Sequence, residues 1–194
     1  MSRTANVTRT TKETDIRVEL NLDGSANSTA DTGIPFFDHM MQQLGKHAGW
    51  DLDVTCKGDL AVDGHHTVED VGIAIGQALS EALGDKAGVR RFASIVVPLD
   101  EAAVEVALDL SGRSFVVFDV PMPAETIGEF DTGLVEDFVR AFAQSADVTI
   151  HIHLRYGRSP HHVCEATFKG MAKALGDAVS LTGRAGVPST KGTL

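Results

Sequence analysis

The first long pattern in the chain is a strict alternation of apolar and polar residues. Ile16, Val18 and Leu20 fall on one side of an extended chain, and the residues between them are charged or polar. Side chains of a strand point alternately to its two faces, so this stretch predicts a half-buried β-strand that ends in the turn Asp23-Gly24. The residues before it form a polar arm.

The rest of the chain contains short β-like runs and longer runs of helical period. Pro35 stands at the start of one helical run and Gly84 follows another, which is where these residues usually occur in helices. The helical runs begin near residues 35, 65 and 161, with a fourth over about 131–144. The β-like runs cover residues 51–56, 59–62, 92–98, 103–110, 115–120 and 148–154.

The motif His-His-x-x-Glu occurs twice, each time at the start of a predicted helix. The copies are His65-His66-Thr67-Val68-Glu69 and His161-His162-Val163-Cys164-Glu165. An offset of 96 residues separates the histidines and the glutamates of the two copies, and the same offset aligns residues 51–54 with 147–150. The chain therefore reads as a tandem repeat, a single domain over residues 1–194 made of two fused pseudo-repeats of about 1–90 and 91–194.

The spacing inside each motif favours metal binding. Residues four apart share one face of a helix, so His65 aligns with Glu69 while His66 points about 100° away. The two motifs together supply four histidines and two glutamates. These six side chains therefore suit two ions, or ions shared between chains, better than one ion. Imidazole and carboxylate ligands without thiolate fit Mn, Fe or Zn. The alternative is that the motifs are solvated histidines beside surface carboxylates, and the second copy weakens that interpretation.

Composition limits the partners and the compartment. A chain of 194 residues, 43% hydrophobic, can build one sizeable core or two small fused lobes. A net charge of −10 and a pI near 5.1, with no Lys/Arg cluster, argue against a nucleic-acid partner. Cys56 and Cys164 have no pairing signature, and no apolar run is long enough to span a bilayer. We therefore expect a cytoplasmic protein without a membrane partner.

Basic and hydroxylic residues form a second candidate site. Arg91 begins a predicted strand, Arg113 lies in the turn 111–114, and the tail 186–192 is small, hydroxylic and basic. Backbone amides, hydroxyls and an ammonium group would make a reasonable phosphate cradle. Solvated arginines and a frayed tail account for the same residues equally well.

These stretches together closely resemble the imidazoleglycerol-phosphate dehydratase family of histidine biosynthesis. The resemblance covers nearly the whole chain and is carried by Phe37-Asp38-His39-Met40, both His-His-x-x-Glu motifs, residues 165–169, and Pro188-Ser189-Thr190-Lys191-Gly192. It implies an α+β fold of tandem-duplicated βα lobes, similar to ribosomal protein S5 domain 2. It also implies a hydro-lyase that converts imidazoleglycerol phosphate to imidazoleacetol phosphate and water. The implied assembly is a homo-oligomer of 24 chains, with two Mn²⁺ per active site where subunits meet.

The resemblance also implies roles for individual residues. Glu13 would be the catalytic acid/base and would contact the substrate. The other substrate-binding residues, mainly facing the phosphate, would be Arg91, Arg113, Lys169, Ser189, Thr190 and Lys191. The metal ligands would be His39, His65, His66, Glu69, Asp137, His161, His162 and Glu165. No role follows for His47, His151 or His153.

The chain departs from the family's pattern at two positions. Asp137 stands where many relatives have a metal-ligating histidine, and we expect it to bind the metal because a carboxylate can ligate Mn²⁺. Gly64 stands where relatives often have a second aspartate before the histidine pair, so any role of that carboxylate in orienting a ligand is absent.

Three other functions compete with this one. A metal hydrolase is disfavoured because the usual histidines four apart, with a glutamate base between them, are missing. An RNA-contacting module, suggested by the S5-like fold, conflicts with the acidic pI. A metal-storage shell would have no use for Arg91, Arg113 or the Ser-Thr-Lys tail.

Overall fold

The two halves of the chain repeat one order of elements. The computed structural model describes residues 3–194. The first half contains β1 (Thr4–Thr10), β2 (Thr14–Asn21), β3 (Ser28–Asp31), α1 (Pro35–Ala48), β4 (Asp51–Gly58) and α2 (His65–Leu83). The second half contains β5 (Phe92–Leu99), β6 (Ala102–Asp109), β7 (Phe115–Asp119), the hairpin β8 (Thr126–Ile127) and β9 (Phe130–Asp131), α3 (Leu134–Ala146), β10 (Thr149–Tyr156) and α4 (Pro160–Val179). The predicted α+β fold with a tandem duplication is confirmed.

Each half forms a four-stranded sheet of the same topology. The strand orders are β1-β2-β4-β3 and β5-β6-β10-β7. The edge strands β3 and β7 run parallel to β4 and β10, and the other neighbours are antiparallel. Ile16, Val18 and Leu20 of β2 are buried in the core, on the face that their alternation predicts.

The helices pack on the two sheets and against one another across the two halves. α2 lies on the first sheet and α4 on the second, while α1 packs against α4 and α3 against α2. Glycines allow this close approach. A Cβ atom at Gly76 would lie 2.6 Å from the carbonyl oxygen of Phe142, and one at Gly176 would lie 2.5 Å from that of Ala48. Within residues 3–194, no helix is long and apolar enough to cross a membrane.

Several predicted boundaries differ from the structure. Residues 59–62 form a turn rather than a strand, closed by the Val62 N–H donating to the carbonyl oxygen of Asp59 at 2.8 Å. The polar arm is strand β1, which pairs with β2 over its whole length. Only Ala5 of β1 is fully buried, so its sequence lacks the apolar side that marks β2. α3 begins at Leu134, three residues later than predicted.

Candidate functional site

The N-terminal parts of α1 and α4 bring three predicted ligands together. On α4, His161 Nε2 lies 3.0 Å from Glu165 Oε2, and His39 Nε2 on α1 lies 3.7 Å from the same oxygen. One ligand atom from each of the three side chains lies within 4.8 Å of the others. Two imidazole nitrogens and a carboxylate oxygen form a donor set that divalent transition metals bind. The residues present therefore fit the Mn²⁺ that the resemblance implies.

The starts of α2 and α3 form a counterpart cluster. His65 Nδ1 lies 3.3 Å from Asp137 Oδ2, and His65 Nε2 lies 3.9 Å from Glu69 Oε2. Asp137 is near the start of α3, as His39 is near the start of α1, so the two residues hold corresponding places in the repeat. The two carboxylates meet opposite edges of the His65 ring. In the first cluster two histidines face one oxygen of Glu165, and the counterpart cluster has no such shared oxygen.

His66 faces a different set of carboxylates from its neighbour His65. Its Nδ1 lies 3.1 Å from Asp59 Oδ2 and 3.2 Å from Oδ1, and its Nε2 lies 3.8 Å from Glu13 Oε1. The hydrogen bond with Asp59, aided by the charge of Glu13, raises the pKa of His66. Glu13 itself sits in the turn between β1 and β2 and is about half exposed.

His162 has an equivalent environment in the second half. Its Nδ1 lies 2.6 Å from Glu101 Oε2, and its Nε2 lies 3.6 Å from Asp100 Oδ2. Glu101 Oε1 also accepts from the backbone N–H groups of Ser159 at 2.7 Å and Arg158 at 3.2 Å. The hydrogen bonds from His162 and Ser159 lower the pKa of Glu101 to about 2, and Glu101 raises the pKa of His162.

Lys169, which the resemblance assigns to substrate binding, contacts the cluster formed by the starts of α1 and α4. Its Nζ lies 2.7 Å from Glu165 Oε1, the oxygen that the histidines leave open. Burial alone would raise the pKa of Glu165, but the hydrogen bond and charge of Lys169 outweigh it, and the pKa is lowered. Glu165 is therefore a charged carboxylate before any cation binds.

The other residues predicted to bind phosphate line one open cavity of about 630 Å³. Its lining includes Arg91, Arg113, Ser189, Thr190 and Lys191. Arg91 donates from Nε and Nη2 to Asp109 at 2.7 and 3.1 Å, and from Nη1 to the carbonyl oxygen of Pro188 at 2.7 Å. The charge of Arg91 is therefore already paired with Asp109. Its hydrogen bond to Pro188 also holds the C-terminal tail near the start of β5.

Arg113 and Lys191 are the unpaired cations of this cavity. Over residues 3–194, neither of them takes part in an ion pair. The Lys191 N–H donates to Ser189 Oγ at 3.2 Å, which bends the tail so that a backbone amide and hydroxyls share the cavity wall. Two cations, hydroxyls and amides are the groups that bind phosphate.

The first histidine–carboxylate cluster, which contains His161, and the basic cavity lie at opposite ends of α4. His161 is in the first turn of this helix, whereas the Arg91 N–H donates to the carbonyl oxygen of Ala178 near its end, at 2.9 Å. At 1.5 Å per residue, the 17 residues between these points span about 25 Å. The two sites of one chain are therefore well separated.

Three carboxylates near the motif histidines were not found from the sequence. Asp59 follows β4, and Asp100 and Glu101 form the turn between β5 and β6. None of them belongs to a motif. The repeat could have pointed to Asp100 and Glu101, because the corresponding turn of the first half carries Glu13.

Comparison with known proteins assigns the family. The family model described as Imidazoleglycerol-phosphate dehydratase matches residues 32–175. A protein of that name from Parafrankia sp. (strain EAN1pec) is 55% identical over 195 residues, covering 100% of both chains. Another from Desulforudis audaxviator (strain MP104C) is 52% identical over 192 residues, covering 99% of this chain and 98% of its own.

Solved structures agree with the sequence relatives. The crystal structure of imidazoleglycerol-phosphate dehydratase from Staphylococcus aureus subsp. aureus N315 matches with a TM-score of 0.84 at 36% identity, covering 92% of this chain and 99% of that one. The Pyrococcus furiosus protein in complex with (S)-C348 gives the same TM-score of 0.84 at 37% identity, covering 97% and 100%. With the family model matching well over half of its length, this chain belongs to the imidazoleglycerol-phosphate dehydratase family.

Proposed function

We propose that this chain catalyses the Mn²⁺-dependent dehydration of imidazoleglycerol phosphate to imidazoleacetol phosphate and water, in histidine biosynthesis. One observation carries the proposal: a histidine–carboxylate cluster fit for a divalent metal and a separate basic cavity fit for a phosphate occur in one member of this family. The substrate has an imidazole ring at one end and a phosphate at the other, which matches this pair of sites.

The metal would be held by the two clusters and by the remaining motif histidines. His39, His161 and Glu165 would hold one ion. His65, Glu69 and Asp137 would contribute to the second. His66 and His162 turn away from these clusters and would complete the coordination of ions held by a neighbouring chain. When bound, the two Mn²⁺ ions would hold the substrate's imidazole ring and offset the negative charge that develops on it.

The phosphate would bind in the basic cavity. Arg113 and Lys191 supply the charge, and Ser189 and Thr190 supply hydroxyl donors. Arg91 holds the tail in place through the carbonyl oxygen of Pro188. Lys169 would contact the substrate from the metal side, since its ammonium group lies beside Glu165.

Glu13 would be the acid/base that transfers a proton during the dehydration. The carboxylates of Glu69 and Glu165 would be occupied by metal, and a metal-bound carboxylate is a weak base. The Glu13 side chain stays outside these clusters, on the open side of the His66 ring with an Oε1–Nε2 distance of 3.8 Å. From there it can exchange a proton with the carbon beside the substrate's imidazole ring.

The active site would form between copies of the chain. The distance of about 25 Å along α4 separates the metal cluster from the basic cavity of the same chain. One small substrate must therefore take its metal ligands and its phosphate ligands from different chains. We propose a homo-oligomer of 24 chains, located in the cytoplasm, where the two buried cysteines would stay as thiols.

A reconstitution assay tests the proposal. The protein is stripped with a chelator, reloaded with Mn²⁺ and incubated with imidazoleglycerol phosphate, and the product is followed by mass spectrometry. We expect a product lighter by one water, formed only by the reloaded protein. His161→Ala should abolish the reaction, and His153→Ala, on the outer face of the second sheet, should retain it. Absence of turnover in fully Mn²⁺-loaded protein would contradict the proposal.

A further inference from the structure

The second histidine of each motif makes the same contact through its Nδ1 atom. His66 Nδ1 lies 3.1 Å from Asp59, and His162 Nδ1 lies 2.6 Å from Glu101. An ionised carboxylate can only accept hydrogen bonds, so Nδ1 of each ring carries the hydrogen. In a neutral ring the lone pair is then on Nε2.

The Nε2 atoms of both rings are free of hydrogen bonds to the residues that the structure describes. The nearest carboxylate oxygens belong to Glu13 at 3.8 Å and Asp100 at 3.6 Å, too far for hydrogen bonds. Both side chains are about one-third exposed, so these atoms are open to an ion. Each ring is thus fixed at one nitrogen and available at the other.

The two carboxylates come from positions that do not correspond in the repeat. Asp59 follows β4, and the residue that follows β10 is Gly157, which has no side chain to offer. Glu101 lies in the turn between β5 and β6, and the corresponding turn of the first half places Glu13 on the Nε2 side of His66. The shared Nδ1 contact is therefore not a simple copy of one half by the other. A common requirement of the two histidines explains it.

We propose that Asp59 and Glu101 are positioning residues of the metal site, each holding Nδ1–H of its histidine so that Nε2 of His66 or His162 points at the ion. This inference rests on the proposed metal binding. The backbone N–H groups of Ser159 and Arg158 donate to Glu101 and hold its carboxylate in place, so the carboxylate does not rotate together with the His162 ring. Carboxylates that hold a ligating histidine in this way typically contribute about 10- to 100-fold to metal affinity.

Mn²⁺ titration of variants tests this inference. The four variants are Asp59→Ala, Asp59→Asn, Glu101→Ala and Glu101→Gln. Each is stripped of metal and titrated with Mn²⁺, and free Mn²⁺ is measured by electron paramagnetic resonance. The alanine variants should bind Mn²⁺ about 10- to 100-fold more weakly. The amide variants should bind more weakly as well, because an amide can turn its NH₂ toward Nδ1 and no longer enforces the tautomer.

Asp119→Asn is the matched control. Asp119 Oδ2 lies 3.5 Å from Nδ1 of His153, a histidine–carboxylate pair outside both motifs. This variant should bind Mn²⁺ within twofold of the wild type. Circular dichroism and thermal unfolding of the metal-free proteins show whether each variant is folded. Asp59→Asn is the sharpest variant, because the described contacts of its side chain are with His66 alone.

The outcomes separate this inference from the proposed function. If the wild type binds no Mn²⁺, the proposed function fails. If the wild type binds Mn²⁺ and the folded Asp59 and Glu101 variants bind it equally well, the positioning role is overturned and the metal site stands. Loss of one whole ion per chain at saturation would make the carboxylate a ligand, which also overturns a positioning role.

Discussion

Glu165 is the carboxylate on which the first histidine–carboxylate cluster converges. One oxygen faces His39 and His161, and the other is paired with Lys169. The ammonium group holds the carboxylate in its charged form while no cation is present, and the histidines define where a cation enters. No oxygen in the counterpart cluster is shared in this way, because Asp137 and Glu69 contact different nitrogens of His65.

Replacement of Glu13 by Gln should remove most of the turnover. Loss of a positioned acid/base typically lowers the rate by about 10² to 10⁴. The Glu13→Gln variant should keep its oligomeric size, its Mn²⁺ content and its affinity for the substrate, because Glu13 lies in a turn outside the metal clusters. The measurement is kcat with metal content confirmed. The control is Asp15→Asn, two residues away, whose carboxylate accepts from Thr10 Oγ1 at 2.8 Å. A near-normal kcat for Glu13→Gln would mean that another group moves the proton.

Replacement of Asp137 by His should keep or tighten Mn²⁺ binding. Asp137 has the place in the second half that His39 has in the first, and imidazole is an equally suitable ligand. Equilibrium dialysis against Mn²⁺ compares Asp137→His with the wild type. Glu136→Gln is the neighbouring control, because Glu136 pairs with Arg140 on the surface of α3. Loss of bound Mn²⁺ in Asp137→His would show that imidazole cannot replace the carboxylate at this position.

The two cysteines should resist alkylation in the folded protein. Burial raises the pKa of Cys56 to about 11 and raises that of Cys164 as well. Because the folded pKa is raised, the thiol of Cys56 stays protonated until the pH approaches that value. At pH 8 its thiolate fraction is about 10⁻³, against roughly a quarter for an ordinary thiol. Alkylation by iodoacetamide should therefore be at least about 100-fold slower than in denaturant. Rapid labelling of native protein at pH 8 would contradict this.

Among the elements, the sequence predicted best those with a strong periodicity of apolar and polar residues. The helix α2 extends from the first motif to Leu83 and is capped by Gly84, as expected. β1 was missed because its polar side chains point outward and its inner side is short of large apolar residues. The packing of α1 on α4 and of α3 on α2 could not be predicted, because it depends on contacts between helices distant in sequence.

The same distinction applies to the site. Motif spacing identified the histidines that face Glu165 and Glu69, since this geometry is local to one helix. The Nδ1 partners Asp59 and Glu101 depend on where two turns end in space. A carboxylate in a turn has no sequence period, so spacing did not distinguish these two from solvated residues. The available signal for Glu101 was the presence of Glu13 in the corresponding turn of the first half.

Substitution of Gly76 by Ala should destabilise the packing of α2 against α3. The added methyl group would meet the carbonyl oxygen of Phe142 at 2.6 Å, a backbone atom that cannot rotate away. Overpacking of this kind costs about 1–3 kcal/mol and opposes the roughly 1 kcal/mol by which Ala is favoured over Gly in a helix. Chemical denaturation of Gly76→Ala should show a net loss of unfolding free energy. The control Gln77→Ala, exposed on the same helix, should change it by less than about 0.5 kcal/mol. Stabilisation by Gly76→Ala would mean that the two helices are farther apart.

For the whole molecule, ligands supplied by separate elements would couple the proposed metal binding to the proposed assembly. His39 comes from α1 and Glu165 from α4, and the proposed active site takes further groups from a neighbouring chain. A bound ion would therefore stabilise contacts between these elements and between chains. The assembled form should depend on the metal as well as on protein packing.

Removal of the metal should produce smaller species. Size-exclusion chromatography of chelator-treated protein should show a lower mass than the Mn²⁺-loaded form. Addition of Mn²⁺ to the stripped sample, after removal of the chelator, should restore the original elution volume. An intact assembly in protein that contains no measurable metal would refute a structural role for the ion.

The packing of α1 on α4 and of α3 on α2 also constrains how such a chain arose by gene duplication. A half-length ancestor with one sheet and two helices could not assemble either cluster alone, because its first helix packs on the second helix of the other half. In two ancestral copies related by a two-fold axis, the first helix of each copy would pack on the second helix of the other, and two identical clusters would form. Fusion of the copies would free each half to mutate separately. The aspartate at position 137, opposite the histidine at position 39, is the kind of divergence that fusion permits.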